Sequence, residues 1–338
     1  MGLFKLPKPG NTIEANASAL FGQLRLCLPQ PVYPALEILE RIRDLALGPA
    51  HPLNRGEDFR PFFIIGSGRC GTTLLRRILQ ASPEIHIPPE ALGLEGAAYV
   101  YRRNRNKPWP QVVTATLAQY EFAPHFDTFG ISLHALGREL MEAPVEKRSL
   151  AYIIHRLFEY HGQATGQTFT RWGDKTPYNT YLLSLLPLIF PKAQYIHMLR
   201  DGVDVVKSLM VAGLRTDLVT AAHRWRSAVT TADAFVKSHL EVCFTVRYED
   251  LVQKPAEGVS RLCGFLGVGF SESMLEDTSM VAGMGDTAYA HHVFVKAPVS
   301  DRSVGKGRQG LSDDQKKQIQ SLIGPELARM GYAPATER

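Results

Sequence analysis

The sequence predicts an α/β fold, a parallel sheet forming the middle of three layers with helices on both faces. Three observations carry that reading. Pro61-Phe62-Phe63-Ile64-Ile65, Ala193-Gln194-Tyr195-Ile196-His197-Met198-Leu199 and Val242-Cys243-Phe244-Thr245-Val246 are short and dominantly apolar, as strands buried on both faces require. Each is followed by apolar residues at helical spacing. The first also runs straight into a glycine-rich turn, Gly66 to Thr73. Strands alternating with helices give a parallel sheet, because a parallel neighbour is reached through a crossover.

Residues 1–60 read as an N-terminal leader with one helix, Pro34 to Leu47. Its Leu36, Ile38, Leu39, Ile42 and Leu45 form one stripe before Gly48-Pro49. Residues 61–338 then read as a single α/β domain. After the first strand, Leu74, Leu75, Ile78 and Leu79 mark a helix that Ser82-Pro83 stops. About 92–165 reads as a helical insertion, with Trp109-Pro110 near one start and Gly162 near the last end. Val205, Val206, Leu209 and Met210 follow the second strand on a helix, and Pro255 opens another that carries Leu262, Phe265 and Leu266. Residues 275–311 lack periodicity and form a long loop, a feature that compact domains reserve for function. In the last helix Ser312 and Gln315 fit a capping box, and Gly331 fits the position just past its end.

Composition narrows the function classes. The chain has 338 residues, 45% hydrophobic and 21% charged, with 38 Lys plus Arg against 33 Asp plus Glu. That balance excludes disordered, collagenous and disulfide-scaffold chains. No basic run resembles a nucleic-acid arm, so no nucleic-acid partner is expected. Pro7, Pro9 and Asn11 interrupt any signal-peptide core, and Leu6 argues against myristoylation. The most apolar run, Tyr181 to Phe190, is about half the ~20 residues of a membrane span. Cys27, Cys70, Cys243 and Cys263 have no metal-ligand spacing. A soluble, reduced, cytoplasmic protein without a metal is the expectation.

The turn Gly66-Ser67-Gly68-Arg69-Cys70-Gly71-Thr72-Thr73 carries the chemistry. Its glycines let backbone N–H groups turn toward an anion, and the helix that follows points its positive end at the same place. Gly66 and Gly71 have the separation of the P-loop G-x-x-x-x-G-K-[ST], but Thr72 replaces the lysine. The cation has moved to Arg69. The second strand ends in Arg200, where a nucleoside triphosphatase often places a magnesium-binding aspartate. Fixed cations in place of metal-binding groups suit an anionic donor that is not a metal–triphosphate complex.

These residues resemble a family. Arg69-Cys70-Gly71-Thr72-Thr73-Leu74-Leu75 is similar to the 5′-phosphosulfate loop of sulfotransferases that use 3′-phosphoadenosine 5′-phosphosulfate (PAPS). Arg200-Asp201-Gly202 through Ser208 resembles their 3′-phosphate motif. Asp174-Lys175-Thr176-Pro177, Arg247-Tyr248-Glu249-Asp250-Leu251 and Ser303-Val304-Gly305-Lys306-Gly307-Arg308 match in order as well. The chain looks like a soluble bacterial-type member with a P-loop-type sheet. The resemblance implies PAPS as sulfuryl donor, 3′-phosphoadenosine 5′-phosphate (PAP) as product, and no metal. It implies a nucleotide site built from Gly68, Arg69, Cys70, Gly71, Thr72, Thr73, Arg200, Ser208, Tyr248, Lys306, Gly307 and Arg308, the late loop closing over it.

It also implies that Arg69 and Lys175 stabilise the sulfuryl oxygens and the leaving oxygen. The general base is less direct. Animal cytosolic sulfotransferases carry Lys-Thr-His, whereas Lys175-Thr176-Pro177 has no such histidine. Tyrosylprotein sulfotransferases use a glutamate downstream of the turn, and Glu90 stands at the matching place. Glu90 is therefore the candidate base, ahead of His86 and of His197, which reads as a packed strand residue. A P-loop kinase and a non-catalytic anion- or nucleic-acid-binding protein are the rival readings. The acceptor is left open among glycan, lipid, phenol, peptide and small-metabolite hydroxyls. Tyr99, Tyr101, Trp109, Tyr120 and Phe122 serve equally as its lining or as core, and a homodimer is an open option.

Overall fold

The computed structural model describes residues 48–215, 217–276 and 298–337. The expected helix Pro34 to Leu47 and residues 277–297 of the long loop lie outside the described residues. The three apolar runs form strands β1 (Phe62–Gly66), β4 (Gln194–Leu199) and β5 (Cys243–Arg247). Two further strands, β2 (Ile85–His86) and β3 (Arg171–Asp174), complete a sheet of order β2-β3-β1-β4-β5 in which every pairing is parallel. β1 is buried at all five positions and pairs with β4 from Phe62↔Gln194 to Gly66↔Met198. β3 escapes pattern reading because it carries Arg171 and Asp174 in place of an apolar run. It is held against β1 at Gly173, where a Cβ would come within 2.3 Å of the Phe62 ring.

The crossovers are helices α1 (Thr72–Gln80), α2 (Leu94–Asn104), α3 (Trp109–Glu121), α4 (His134–Met141) and α5 (Leu150–Ala164), then α6 (Gly202–Val211) and α7 (Leu218–Ser238). Beyond β5 come α8 (Tyr248–Gln253), α9 (Pro255–Leu266), α10 (Lys306–Gly310) and α11 (Asp313–Arg329). α11 begins with the expected capping box, Gln315 N–H donating to Ser312 and Ser312 N–H to Gln315. It ends with Gly331 at φ 74° and Tyr332 N–H on the Leu327 carbonyl, the hydrogen-bonding pattern of a Schellman cap. α5 runs past Gly162 and stops at Gly166, which takes the left-handed turn. Gly162 instead clears space inside the helix for Phe169, whose ring would lie 2.2 Å from a Cβ there.

The chain divides into two compact units. The larger comprises Asp58–Leu92, Pro124–Ile131 and the described residues from Phe158 onward, and contains the whole sheet. Its core joins Phe62, Ile64 and Ile196 of the sheet to Leu75, Val205, Trp225, Leu262 and Ile323 of the helices. The smaller comprises Gly93–Ala123 and Ser132–Leu157 with residues 48–57. There Tyr101, Trp109 and Tyr120 are core residues. The Trp109 indole donates to the Leu140 carbonyl at 2.6 Å and the Tyr101 hydroxyl to that of Pro52 at 3.0 Å. Tyr99 and Phe122 are exposed. Among the described residues, no helix is long and apolar enough to cross a membrane.

His197 sits on β4 at 3% exposure, its Nε2 buried without a partner. Burial pushes its pKa down from 6.5 to about 4, against a smaller opposing pull from Asp233. A depressed histidine pKa means that the unfolded chain binds the extra proton first, so stability is lost as pH falls from 6.5 toward 4. His197→Leu should flatten that loss by about 2 kcal/mol, measured as the unfolding free energy in urea at pH 7 and pH 4.5.

Candidate functional site

The turn after β1 has the backbone that its glycines allow. Gly66, Arg69 and Gly71 take φ values of 143°, 68° and 100°. A Cβ on Gly66 would lie 2.4 Å from the Met198 carbonyl, and one on Gly71 would lie 2.5 Å from the Tyr248 ring. Thr180 seats the turn, accepting from Gly66 N–H at 2.8 Å and donating to the Gly66 carbonyl at 3.1 Å. Arg69 is a non-glycine residue held left-handed, which costs roughly 1–2 kcal/mol. Strain of that kind persists where surrounding structure over-determines it, and it clusters at functional sites. No side chain caps the start of α1, so its first N–H groups and its positive dipole end are left for an anion.

Arg200 leaves the carboxyl end of β4 and is 8% exposed. Its guanidinium lies 4.3 Å over the Tyr248 ring and donates to the Arg69 carbonyl at 3.1 Å and the Ser303 carbonyl at 2.6 Å. Its Nε is buried without a partner. The Trp225 indole donates to the Arg200 carbonyl, and Asp201 caps α6 through Val203 N–H. Ser208, two turns along α6, accepts from Arg69 Nε at 3.2 Å. Desolvation first, then the Arg200 charge, lowers the Arg69 pKa. A guanidinium whose charge is disfavoured by burial and by a second cation is suited to an anion beside it.

The sequence reads Lys175 as part of a short polar segment between two helices; it follows strand β3 instead, and its side chain is fully buried. Its ammonium donates to Glu90 Oε1 at 2.6 Å and to Thr73 Oγ1 at 3.4 Å. The segment bearing Glu90 is pinned at Ile87, whose N–H donates to Gln80 and whose carbonyl accepts from Arg76. Glu90 retains 30% side-chain exposure and faces the cavity.

That cavity, about 480 Å³, draws its lining from the larger unit. Gly68, Arg69, Gly71, Thr72 and Thr73 of the turn, Glu90, Arg200 and Tyr248 line it. Lys175 stands behind Glu90 and Thr73. Of the other residues assigned to the nucleotide, Cys70, Ser208, Lys306, Gly307 and Arg308 are absent from the lining. Cys70 faces the core, its thiol on the Ser67 carbonyl and its pKa pushed up to about 12 by burial. Gly307 donates its N–H to Asp204 at 2.6 Å and sits where a Cβ would meet the Val203 carbonyl. Arg308 is spent on Asp201 at 2.9 Å and on the carbonyls of Ala333 and Pro334. The late loop reaches the cavity through Arg302 and Ser303. Sequence reasoning missed Tyr178, His125, Arg215 and Arg224, also lining residues, because none belongs to a motif; Arg224 stacks on Tyr178 and Tyr181. His86 is a buried partner of His161, 2.9 Å away. Among the described residues no group of three His, Cys, Asp or Glu is arranged to hold a metal.

A parallel sheet with an anion-ready turn at one strand end and an arginine at the next is the frame of a group-transfer enzyme. The family model described as "Sulfotransferase family" matches residues 61–272, and the chain belongs to that family. It is similar to protein-tyrosine sulfotransferase 1 of Danio rerio, 24% identical over 298 residues that cover 84% of the chain and 75% of the relative. Nodulation protein NoeE of Sinorhizobium fredii is 26% identical over 306 residues, covering 80% and 65%. The sulfotransferase domain of a Synechococcus olefin synthase shares the fold, with a TM-score of 0.52 at 21% identity over 79% of this chain and 97% of that one.

Gly71→Ala should strain the turn and push Tyr248 away from it. The expected loss is about 2 kcal/mol or more of unfolding free energy, read by chemical denaturation. Unchanged stability would mean that the turn accommodates a side chain.

Proposed function

We propose that the protein transfers a sulfuryl group from PAPS to a hydroxyl acceptor by in-line displacement, with Glu90 as general base. The observation that carries the reading is Glu90 in the wall of the cavity that the turn and Arg200 also line, with the Lys175 ammonium 2.6 Å behind it. The charge balance supports it. Among the described residues, five arginines and one carboxylate, Glu90, line the cavity, which suits a donor with several phosphate and sulfate charges.

In this reading the turn's N–H groups, Thr72 and Thr73 bind the 5′ end of the donor, and Arg200, steadied on Tyr248, takes the 3′-phosphate. Arg69 and Lys175 face the charge that develops on the transferred group and the leaving oxygen. Burial makes each such contact worth roughly 3 kcal/mol, about 100-fold in rate. Glu90 takes the acceptor's proton as its oxygen bonds to sulfur and the bond from sulfur to the leaving phosphate oxygen breaks. An acceptor hydroxyl, phenolic as in the relatives named for protein tyrosine or alcoholic, would enter beside Glu90 and Tyr178.

Transfer of ³⁵S from labelled PAPS to hydroxyl acceptors, screened across phenols, tyrosine peptides, glycans and lipids, tests the reaction. ATP turnover with none from PAPS would overturn it. Glu90→Gln should keep PAP binding and lower turnover at least ~100-fold; near-full activity would discard Glu90 as base. Arg200→Ala should weaken PAP far more than adenosine 5′-phosphate in calorimetric titrations. Equal losses would show that Arg200 does not read the 3′-phosphate.

A further inference from the structure

Beside the Glu90–Lys175 pair runs a second polar chain, displaced by one residue along both segments and closed to water. Thr176 follows Lys175 and is 1% exposed; Ala91 follows Glu90 and is 2% exposed. Ala91 N–H donates to Thr176 Oγ1 at 2.9 Å, and the same hydroxyl donates to Asp174 Oδ1 at 2.6 Å. Asn179 Nδ2 donates to Asp174 Oδ2 at 2.7 Å. Asp174 and Asn179 are each 1% exposed.

The polarity of this chain is forced. A hydroxyl has one proton to give, and an ionised carboxylate can only accept. Asp174 therefore accepts the hydrogen bond that the Thr176 hydroxyl donates, and a Thr176 lone pair is left facing Ala91 N–H. Asn179 fills the other carboxylate oxygen, which fixes the Asp174 rotation and so the direction of the hydroxyl. The Lys175 ammonium goes to Glu90 and Thr73, and against the larger effect of burial its charge pulls the Asp174 pKa down. The arrangement is costly. Burial pushes the Asp174 pKa up to about 6, and apolar residues of similar volume would pack here at less expense. What the polar chain adds is a fixed distance between the residue after Glu90 and the residue after Lys175.

We propose that Thr176, oriented by Asp174 and Asn179, is the positioning residue for Glu90, holding the 90–91 peptide so that the base stays registered with Lys175. The inference rests on the reading of Glu90 as base. Thr176 itself gains and loses no proton. Its role is to keep a carboxylate on a connecting segment, with no helix or strand of its own, at the geometry that proton transfer requires.

Thr176→Val keeps the shape and removes the hydroxyl; Thr176→Ser restores it. With ³⁵S-PAPS and 4-nitrophenol as phenolic probe, Thr176→Val should lower kcat ~10-fold or more and change acceptor KM less than about threefold. PAP affinity by calorimetry should be unchanged, and Thr176→Ser should behave as the parent enzyme. The ¹³C carboxyl resonance of Glu90, assigned with Glu90→Gln, should shift or broaden in Thr176→Val and not in Thr176→Ser, a readout independent of the acceptor. If Thr176→Val does not fold, Asn179→Ala, which frees one Asp174 oxygen, should move the same resonance in the same sense. Near-full activity of Glu90→Gln would defeat the base assignment whatever Thr176 does. An inactive Glu90→Gln beside a Thr176→Val (or Asn179→Ala) enzyme with an unmoved Glu90 resonance would overturn the positioning role alone.

Discussion

All five strands of the sheet run the same way, so their carboxyl ends emerge along one edge, and the cavity depends on that alignment. β1 delivers Gly66 and the turn, β3 delivers Lys175, β4 delivers Arg200 and β5 delivers Tyr248. The register ranks them. Gly66 stands opposite Met198 and Leu199 opposite Arg247, so the turn, Arg200 and Tyr248 leave the sheet at nearly one level. β3 stops lower, with Asp174 opposite Phe63. The chain beyond it climbs through Lys175 and Thr176 until Thr180 meets Gly66. Burial of apolar strands on both faces fixes these levels, which makes a packing force responsible for the placement of charged groups.

Carboxylates stand beside these cations to different degrees, Glu90 at 2.6 Å from Lys175 and Asp204 at 3.6 Å from Arg200. The larger unit keeps the two populations of arginine apart. Arg200 is held by the Arg69 and Ser303 carbonyls and by the Tyr248 ring, with Asp204 at 3.6 Å. Carbonyl dipoles and a ring face orient a guanidinium and leave most of its field intact. Arg308 is paired outright with Asp201. The modest excess of basic residues in the sequence thus matters through where it is placed, around the cavity.

The contrast explains what could be read from sequence. The strands β1, β4 and β5 announce themselves because a two-sided burial demands an unbroken apolar run. β2, with two residues, and β3, with arginine and aspartate at its ends, offer no such run, and so Lys175 loses its true context. The glycine-rich turn is legible because close approach by Met198 and Tyr248 tolerates no other residue at Gly66 and Gly71. The capping box at Ser312 is legible because it is local. Arg308 is not: a basic residue in a polar loop has the same look whether it meets a phosphate or a carboxylate 107 positions away. Arg224 and Tyr178 carry no signal at all, since they become neighbours only when α7 crosses the segment after Lys175.

At each strand end, ligand-facing and scaffold-facing residues are adjacent. Arg200 looks into the cavity, and Asp201 looks back to cap α6 and hold Arg308. Tyr248 lies along the cavity, and Glu249 turns the other way to accept from Asp201 N–H and the Tyr332 hydroxyl. Glu90 and Ala91, and Lys175 and Thr176, repeat the division. On the extended backbone that leaves β4, successive side chains point to opposite sides, whereas Tyr248 and Glu249 open helix α8, where successive side chains diverge by about 100°. A family built on this plan can therefore exchange what it binds by changing one member of each pair, while the other member keeps the strand end moored.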